Sequence, residues 1–204
     1  MNIVTSGKNS KKILEVSADE DLIVVYQDEV HFHVQSTITC GWYKKGSQPE
    51  IGSLPGRDKI SYSGFVIPES GELFVNKPSK FNYQTTLESI RAFLQAHPVP
   101  TGKKYVLVMD NASWHKKAAR LVSEDPQGEY RDISSAITFL ALPPYSPDLN
   151  PIEQVWRITR RENTHNVFFP SKNILEQTLD NAFLLWEKPN SQLKSLCDFK
   201  TKKL

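Results

Sequence analysis

Cysteine is scarce in this chain and apolar runs are short. Cys40 and Cys197 are the only cysteines. They lie far apart and form no C-x-x-C pair, so neither a disulfide staple nor a structural metal is expected, and free thiols suit a reducing, cytoplasmic compartment. The longest nearly apolar run, residues 136–142, is too short to cross a bilayer, and residues 1–20 lack the apolar stretch of a signal peptide. No membrane partner is expected. A dominant charge is missing too: 25 basic against 23 acidic side chains leave a formal net charge of +2, a weak global field for a polyanion. No internal repeat, low-complexity tract or interdomain linker interrupts the chain. What remains, 39% hydrophobic and 24% charged residues over 204 positions, is ordinary globular composition with enough length for one large core.

Residues 22–26 form a β-branched run suited to a strand covered on both faces, ending at Gln27-Asp28-Glu29. From Ser36 to Lys77 short β-prone pieces alternate with Gly-Ser and Pro-Gly breaks, which predicts an antiparallel meander. Within it, residues 60–67 and 72–75 read as a hairpin around 68–71. Tyr83, Leu87, Ile90, Phe93 and Leu94 recur at helical spacing and predict a helix over 82–96, stopped by Pro98 and Pro100. Residues 105–109 read as a second buried strand ending at Asp110, followed by a helix over 113–122, a polar loop over 123–135 and a third strand over 137–142. A proline-rich turn then leads into a helix near Asn150, and a last helix is expected over 171–187. The order, a meander followed by crossover strands flanked by helices, is that of one mixed α/β domain over residues 22–204, with residues 1–21 as an arm or linker.

The acids fall at informative places. Asp28 and Asp110 each end a buried strand, where two carboxylates converging on one point repel unless a divalent cation lies between them. Each alone reads more readily as a turn former. Glu153 is a third candidate with a local alternative: Asn150 suits an N-cap, Pro151 the first helical position and Glu153 the third, with Arg157 one turn on as an ion-pair partner. Capping and metal binding are compatible. Basic residues bunch at Lys8/Lys11/Lys12, Lys44/Lys45, Lys103/Lys104, Lys116/Lys117/Arg120 and Arg157/Arg160/Arg161. Any one bunch is readable as a solvated face. His31 and His33 share a strand face, but His-x-His without further ligands is weak support for zinc.

Four segments in order carry a resemblance: Tyr26-Gln27-Asp28-Glu29, Gly41-Trp42-Tyr43-Lys44-Lys45-Gly46, Met109-Asp110-Asn111-Ala112-Ser113-Trp114-His115, and Leu142-Pro143-Pro144-Tyr145-Ser146-Pro147-Asp148-Leu149-Asn150-Pro151-Ile152-Glu153. Together they resemble the catalytic domain of Tc/mariner-type DDE transposases, most closely the bacterial insertion-sequence branch. The resemblance implies an RNase H-like mixed sheet, an antiparallel meander plus parallel crossover strands, flanked by helices. It also implies a metal-binding catalytic triad of Asp28, Asp110 and Glu153, with Glu in the third place as in the insertion-sequence and Tc members. Two Mg²⁺ or Mn²⁺ ions are the implied cofactors, Asp28 serving both, Asp110 one and Glu153 the other. The implied activity is metal-dependent cleavage of DNA at element ends and strand transfer into target DNA.

Two departures stand out. The stretch between Asp110 and Glu153 is longer than usual for the family, an excess assigned to the polar 123–135 loop, and no helix-turn-helix pattern precedes the catalytic motifs. The expectation is therefore the catalytic half of a transposase, a homodimer on DNA and nucleoid-associated, with a separate N-terminal helix-turn-helix polypeptide or domain as an implied partner. His115, Lys116, Lys117, Arg157, Arg160 and Arg161 are the expected DNA-contacting residues. Trp114 and Trp156 read either as platforms for unpaired bases or as core, the commoner fate of large aromatics. Glu29, one residue from Asp28 on a strand, is expected to point away from the site. Two other functions fit the same residues: an RNase H-like nuclease acting on another nucleic acid, and a non-catalytic transposase remnant kept for assembly. Relief of carboxylate repulsion predicts that Asp110→Asn raises the stability of the metal-free chain.

Overall fold

Along the first strand, β1 (Leu22–His33), side chains alternate between two apolar cores: Tyr26, Val30 and Phe32 enter one, and Val25 the other. That alternation requires helices on both faces of the sheet. The computed structural model describes residues 15–16, 19–144, 146 and 149–197. Most of the expected arm over 1–21 lies outside those residues. β2 (Lys59–Ile67) pairs antiparallel with β1, and β3 (Glu72–Asn76) antiparallel with β2. β4 (Lys104–Met109) runs parallel to β1, and β5 (Ile137–Ala141) parallel to β4. The sheet order is β3-β2-β1-β4-β5, the mixed RNase H-like arrangement.

One face is covered by α1 (Tyr83–Ala96), α2 (Ser113–Glu124) and α3 (Arg131–Ala136), through Leu87, Ile90, Phe93, Ala118, Val122 and Ile133. Asn82 starts α1 as the sequence predicts: its side chain accepts from the backbone N–H of Gln84 and Thr85, and the Thr85 hydroxyl accepts from the Asn82 N–H. The opposite face is covered by α4 (Ile152–Thr159), α5 (Lys172–Leu184) and α6 (Ser191–Cys197). There Tyr62 packs edge-on against Phe32 and Phe183 at centroid distances of 6.0 and 5.0 Å, and Trp156 meets Phe183 at 5.9 Å. This aromatic stack fixes α4 over β1 and β2, each buried ring contributing roughly 2–3 kcal/mol. No helix among the described residues is long and apolar enough to cross a membrane.

Four local expectations change. β1 does not end at residues 27–29, because β2 continues to pair with it as far as His33 opposite Lys59. The 123–135 stretch is not all loop: Ile133 is fully buried and α3 forms around it. The last predicted helix stops at Leu184 and is followed by α6, whose Leu193 and Cys197 close the core. Asn150 caps nothing with its side chain; it is buried, its carbonyl accepts the Glu153 N–H, and α4 begins at Ile152. The second motif, around Trp42, lies in an exposed excursion between β1 and β2, with the Trp42 side chain wholly in solvent.

Candidate active site

The parallel ladder between β1 and β4 pairs Tyr26 with Val108. Two residues further on, both chains reach an aspartate, so Asp28 and Asp110 lie level where β4 stops. Beyond that point β1 pairs with β2 alone, Asp28 standing opposite Gly64. Asp28 shares the sheet face of Tyr26 and Val30, and α4 passes over it with Glu153 in its first turn. Asp28 and Glu153 line one cleft of about 500 Å³ with Trp156, Arg160 and Thr164. A π-helical turn over Arg160–Thr164 follows α4 and brings the last two residues to that cleft.

The third side of Asp28 is the ring of Trp156, whose Nε1–H donates to Asp28 Oδ2 at 3.1 Å. The ring fits because residue 64 is glycine: a Cβ there would stand 2.4 Å from Trp156 Cη2. Burial pushes the Asp28 carboxyl up to about 7. Hydrogen bonds from the Glu29 backbone and from Trp156 pull the other way, and the negative charges of Glu153 and Asp110 add to the rise. Asp28 therefore feels both of the other acids. Among the described residues, though, no three His, Cys, Asp or Glu side chains gather closely enough to hold an ion as they stand.

His115 does not lie on the surface where a phosphate could reach it. Its side chain is 2% exposed, with Nδ1 2.5 Å from Asp110 Oδ1 and Nε2 3.3 Å from Glu29 Oε1. The hydrogen bond from His115 holds the Asp110 carboxyl below its usual range, against the effect of burial. Burial presses the imidazole downward, but its bonds to Asp110 and Glu29 prevail and raise it to about 9. Glu29 does point to the face opposite Asp28, as its strand parity requires, yet it is linked to Asp110 through this ring. The signal was present in the sequence: a histidine five residues after a strand-ending aspartate, on a helix starting at Ser113, turns back toward that aspartate.

Of the other expected contacts, Arg160 lines the cleft, its guanidinium 5.4 Å from the Phe32 ring centroid. Arg157 and Arg161 are exposed, but they bond to Gln154 and Glu162 respectively, and Glu153 has no ion pair with Arg157 among the described residues. Lys116 is exposed beside Asp110, whereas Lys117 sits 3.7 Å over the Tyr83 ring. Both tryptophans have structural partners: Trp156 is core, and Trp114 Nε1 donates to Glu29 Oε2 at 2.9 Å. Asn111 ties the ends of β4 and β5 together by donating to the Leu142 carbonyl at 2.6 Å. His31 is bonded to Ser61 and Lys59 and stacked on Phe81, with no metal-binding group of three around it among the described residues.

Comparison with known proteins follows the same outline. The chain is 29% identical over 183 residues to the Tc3 transposase of Caenorhabditis elegans, covering 85% of this chain and 51% of that protein. It is 24% identical over 159 residues to the uncharacterized 39 kDa protein of insertion element IS630 from Shigella sonnei, covering 76% and 42% respectively. The chain thus spans about half the length of the curated relatives it matches. In fold it resembles the Mos1 mariner paired end complex with Mn (TM-score 0.61, 20% identity, 93% of this chain and 58% of that one). It also resembles the Mos1 strand transfer complex (TM-score 0.59, 18% identity, 97% and 61%). The profile described as DDE superfamily endonuclease matches residues 23–176, and the chain belongs to that family.

Proposed function

We propose that this chain is the catalytic domain of a Tc/mariner-type DNA transposase, residues 22–204 forming the catalytic unit, and that Asp28, Asp110 and Glu153 hold a pair of Mg²⁺ or Mn²⁺ ions. The observation that carries the reading is that Asp28 on β1 feels the negative charges of both Asp110 at the end of β4 and Glu153 in the first turn of α4, where neither Asp28 nor Glu153 has an ion-pair partner among the described residues. Hard carboxylate oxygens in a polar cleft suit such cations. The Tc3 relative is a transposase, and the Mos1 structures are transposase complexes with transposon ends, one containing Mn and another Mg.

When bound, the ions supply Lewis acidity that activates a water at one side of the phosphorus and stabilises the leaving 3′ oxygen at the other. The chain's own residues do the placing. Trp156 fixes Asp28 through the 3.1 Å bond, the first turn of α4 presents Glu153, and Ala112 N–H fixes Asp110 from 2.9 Å. Arg160, in the cleft, neutralises and orients the scissile phosphate, while Lys116, Arg157 and Arg161 hold the flanking backbone without reading sequence. The working assembly on this reading is a homodimer on DNA at the nucleoid, completed by a helix-turn-helix domain or polypeptide that recognises the element ends.

The test is nicking of supercoiled plasmid by the full chain in Mn²⁺. Cleavage by wild type that disappears in Asp28→Asn, Asp110→Asn and Glu153→Gln is expected. Cleavage of an RNA–DNA hybrid but not of DNA would instead make it a nuclease of another substrate. Cleavage of neither, with Mn²⁺ bound, would leave an assembly module.

A further inference from the structure

Asp110 Oδ1 accepts two hydrogen bonds, from Ala112 N–H at 2.9 Å and from His115 Nδ1 at 2.5 Å, while Oδ2 has no partner among the described residues. The carboxylate is thus turned in one defined sense, one oxygen committed and one left for a ligand. His115 can hold it so only if its own ring is held, and the second ring nitrogen meets Glu29 Oε1 at 3.3 Å. Glu29 is fixed in turn, its Oε2 accepting from Trp114 Nε1 at 2.9 Å, and its side chain is 7% exposed. Trp114, Glu29, His115 and Asp110 form a chain that begins on the sheet face opposite Asp28 and rounds the end of β4 to reach the cleft side.

We infer that Glu29 is a positioning residue, acting through His115 to set the orientation in which Asp110 presents its free oxygen. This rests on the reading of Asp110 as a metal ligand. The physical basis is general: a partner that fixes a ligand's orientation is worth about 10–100-fold in metal affinity or activity. Glu29 is suited to the task because a buried acceptor at the far ring nitrogen denies the imidazole any other rotation, and a buried ring nitrogen left without a partner is costly.

The test uses the full chain and Mn²⁺ alone, with bound ion followed by electron paramagnetic resonance. Glu29→Gln and Glu29→Leu have similar volume and neither is charged, but only Gln keeps a hydrogen-bonding group at each terminal position. It can accept from Trp114 and donate to His115 Nε2, leaving Nδ1–H on Asp110. Glu29→Gln is expected to bind Mn²⁺ within about threefold of wild type, and Glu29→Leu about tenfold or more weakly. Equal affinity of both variants, whether strong or weak, overturns the inference, because packing or net charge would then be what matters. Should Glu29→Leu not fold, His115→Asn replaces it: the amide keeps a donor near the Nδ1 position and cannot reach Glu29. A loss like that expected for Leu supports the chain, and wild-type affinity overturns it. Asp110→Asn separates this from the underlying reading: if it binds Mn²⁺ as wild type does, Asp110 is no ligand, and the site and the positioning role fall together. If it loses the ion while Glu29→Leu does not, only the positioning role falls.

Discussion

The indole of Trp156 donates to Asp28 Oδ2 at 3.1 Å while lying against Gly64, the residue that faces Asp28 across the β1–β2 ladder. One side chain therefore joins the floor of the cleft to the helix that carries Glu153.

Gly64→Ala tests this coupling. The added methyl would stand 2.4 Å from Cη2 and 2.7 Å from Cζ2 of Trp156, so the ring must move. Overpacking of this kind costs about 1–3 kcal/mol, and at this chain length each kcal/mol lowers the melting temperature by about 2–4 °C. Because the displaced ring moves both Asp28 and α4, Mn²⁺-dependent nicking is expected to fall well below what the loss of folded protein explains. Trp156→Phe loses the hydrogen bond and also the ring atoms that fill the space over Gly64, so it should cost about 2–3 kcal/mol, more than the hydrogen bond alone. Thermal melts beside nicking rates at a temperature where both variants are folded check the pair.

Asp110→Asn separates two electrostatic accounts. Repulsion among acids, which is what the sequence suggests, makes the substitution stabilising; the structure reverses the sign. Asp110 is paired to His115, and that bond holds its carboxyl low, so removing the charge strips a buried imidazole of one of its two carboxylates. With Asp110 half exposed, the cost is discounted to about 1 kcal/mol. The repulsion resides at Asp28, so Asp28→Asn is expected to stabilise the metal-free chain. Urea unfolding of both variants without metal, where opposite signs are expected, decides between the accounts.

The pH dependence of metal-free stability follows from the same groups. Burial, with its acidic neighbours, raises the folded Asp28 carboxyl from 3.8 to about 7, so its contribution is fully present below pH 4 and is lost as pH rises to about 7. His115, raised from 6.5 to about 9, contributes stability that is complete below 6.5 and is lost as pH rises through 9. Stability of the metal-free chain should therefore fall between pH 4 and 7 and again towards pH 9. Asp28→Asn should flatten the first decline and leave the second. Mn²⁺ at pH 7.5 should restore wild type and not the variant. Unfolding midpoints in urea across that pH range, with and without Mn²⁺, give the comparison.

Much of this architecture is legible in the residues themselves. The β-branched runs at 22–26 and 105–109 and the hairpin around 68–71 locate four of the five strands, because buried parallel strands need continuous apolar runs and hairpins need turn residues. Asn82 and the proline stops bracket α1 for equally local reasons. What escapes is set by tertiary partners. β1 runs on past its apolar stretch because β2 supplies hydrogen bonds as far as His33; the Val30-His31-Phe32-His33 alternation, with His31 and His33 on one strand face, is the only local sign of it. Ile133 draws the polar 123–135 stretch into α3 by burying itself under the sheet. At the site, strand parity correctly sends Glu29 to the other face, but parity is silent about His115 rounding the end of β4 to link the two sides.

The basic residues divide by what already holds them, and that division predicts the salt dependence of DNA binding. Arg160 lies in the cleft beside Asp28 and Glu153, its guanidinium held among the described residues by a 3.5 Å contact to the His31 carbonyl, with the Phe32 ring centroid 5.4 Å away. Lys117 is committed to the Tyr83 ring at 3.7 Å, joining α2 to α1 on the opposite face of the sheet. A phosphate contact releases counterions, so each one lost reduces the slope of log affinity against log salt by about one and weakens all sequences alike. Arg160→Gln should show that reduced slope, with a weaker and still sequence-independent affinity. Lys117→Gln should leave the slope unchanged and instead cost about 0.5–1 kcal/mol of stability through the lost cation–π contact. Fluorescence anisotropy with random duplex DNA at several salt concentrations measures the slopes. An unaltered slope for Arg160→Gln would move the DNA path away from the cleft; a reduced slope for Lys117→Gln would extend the path to the α1–α2 face.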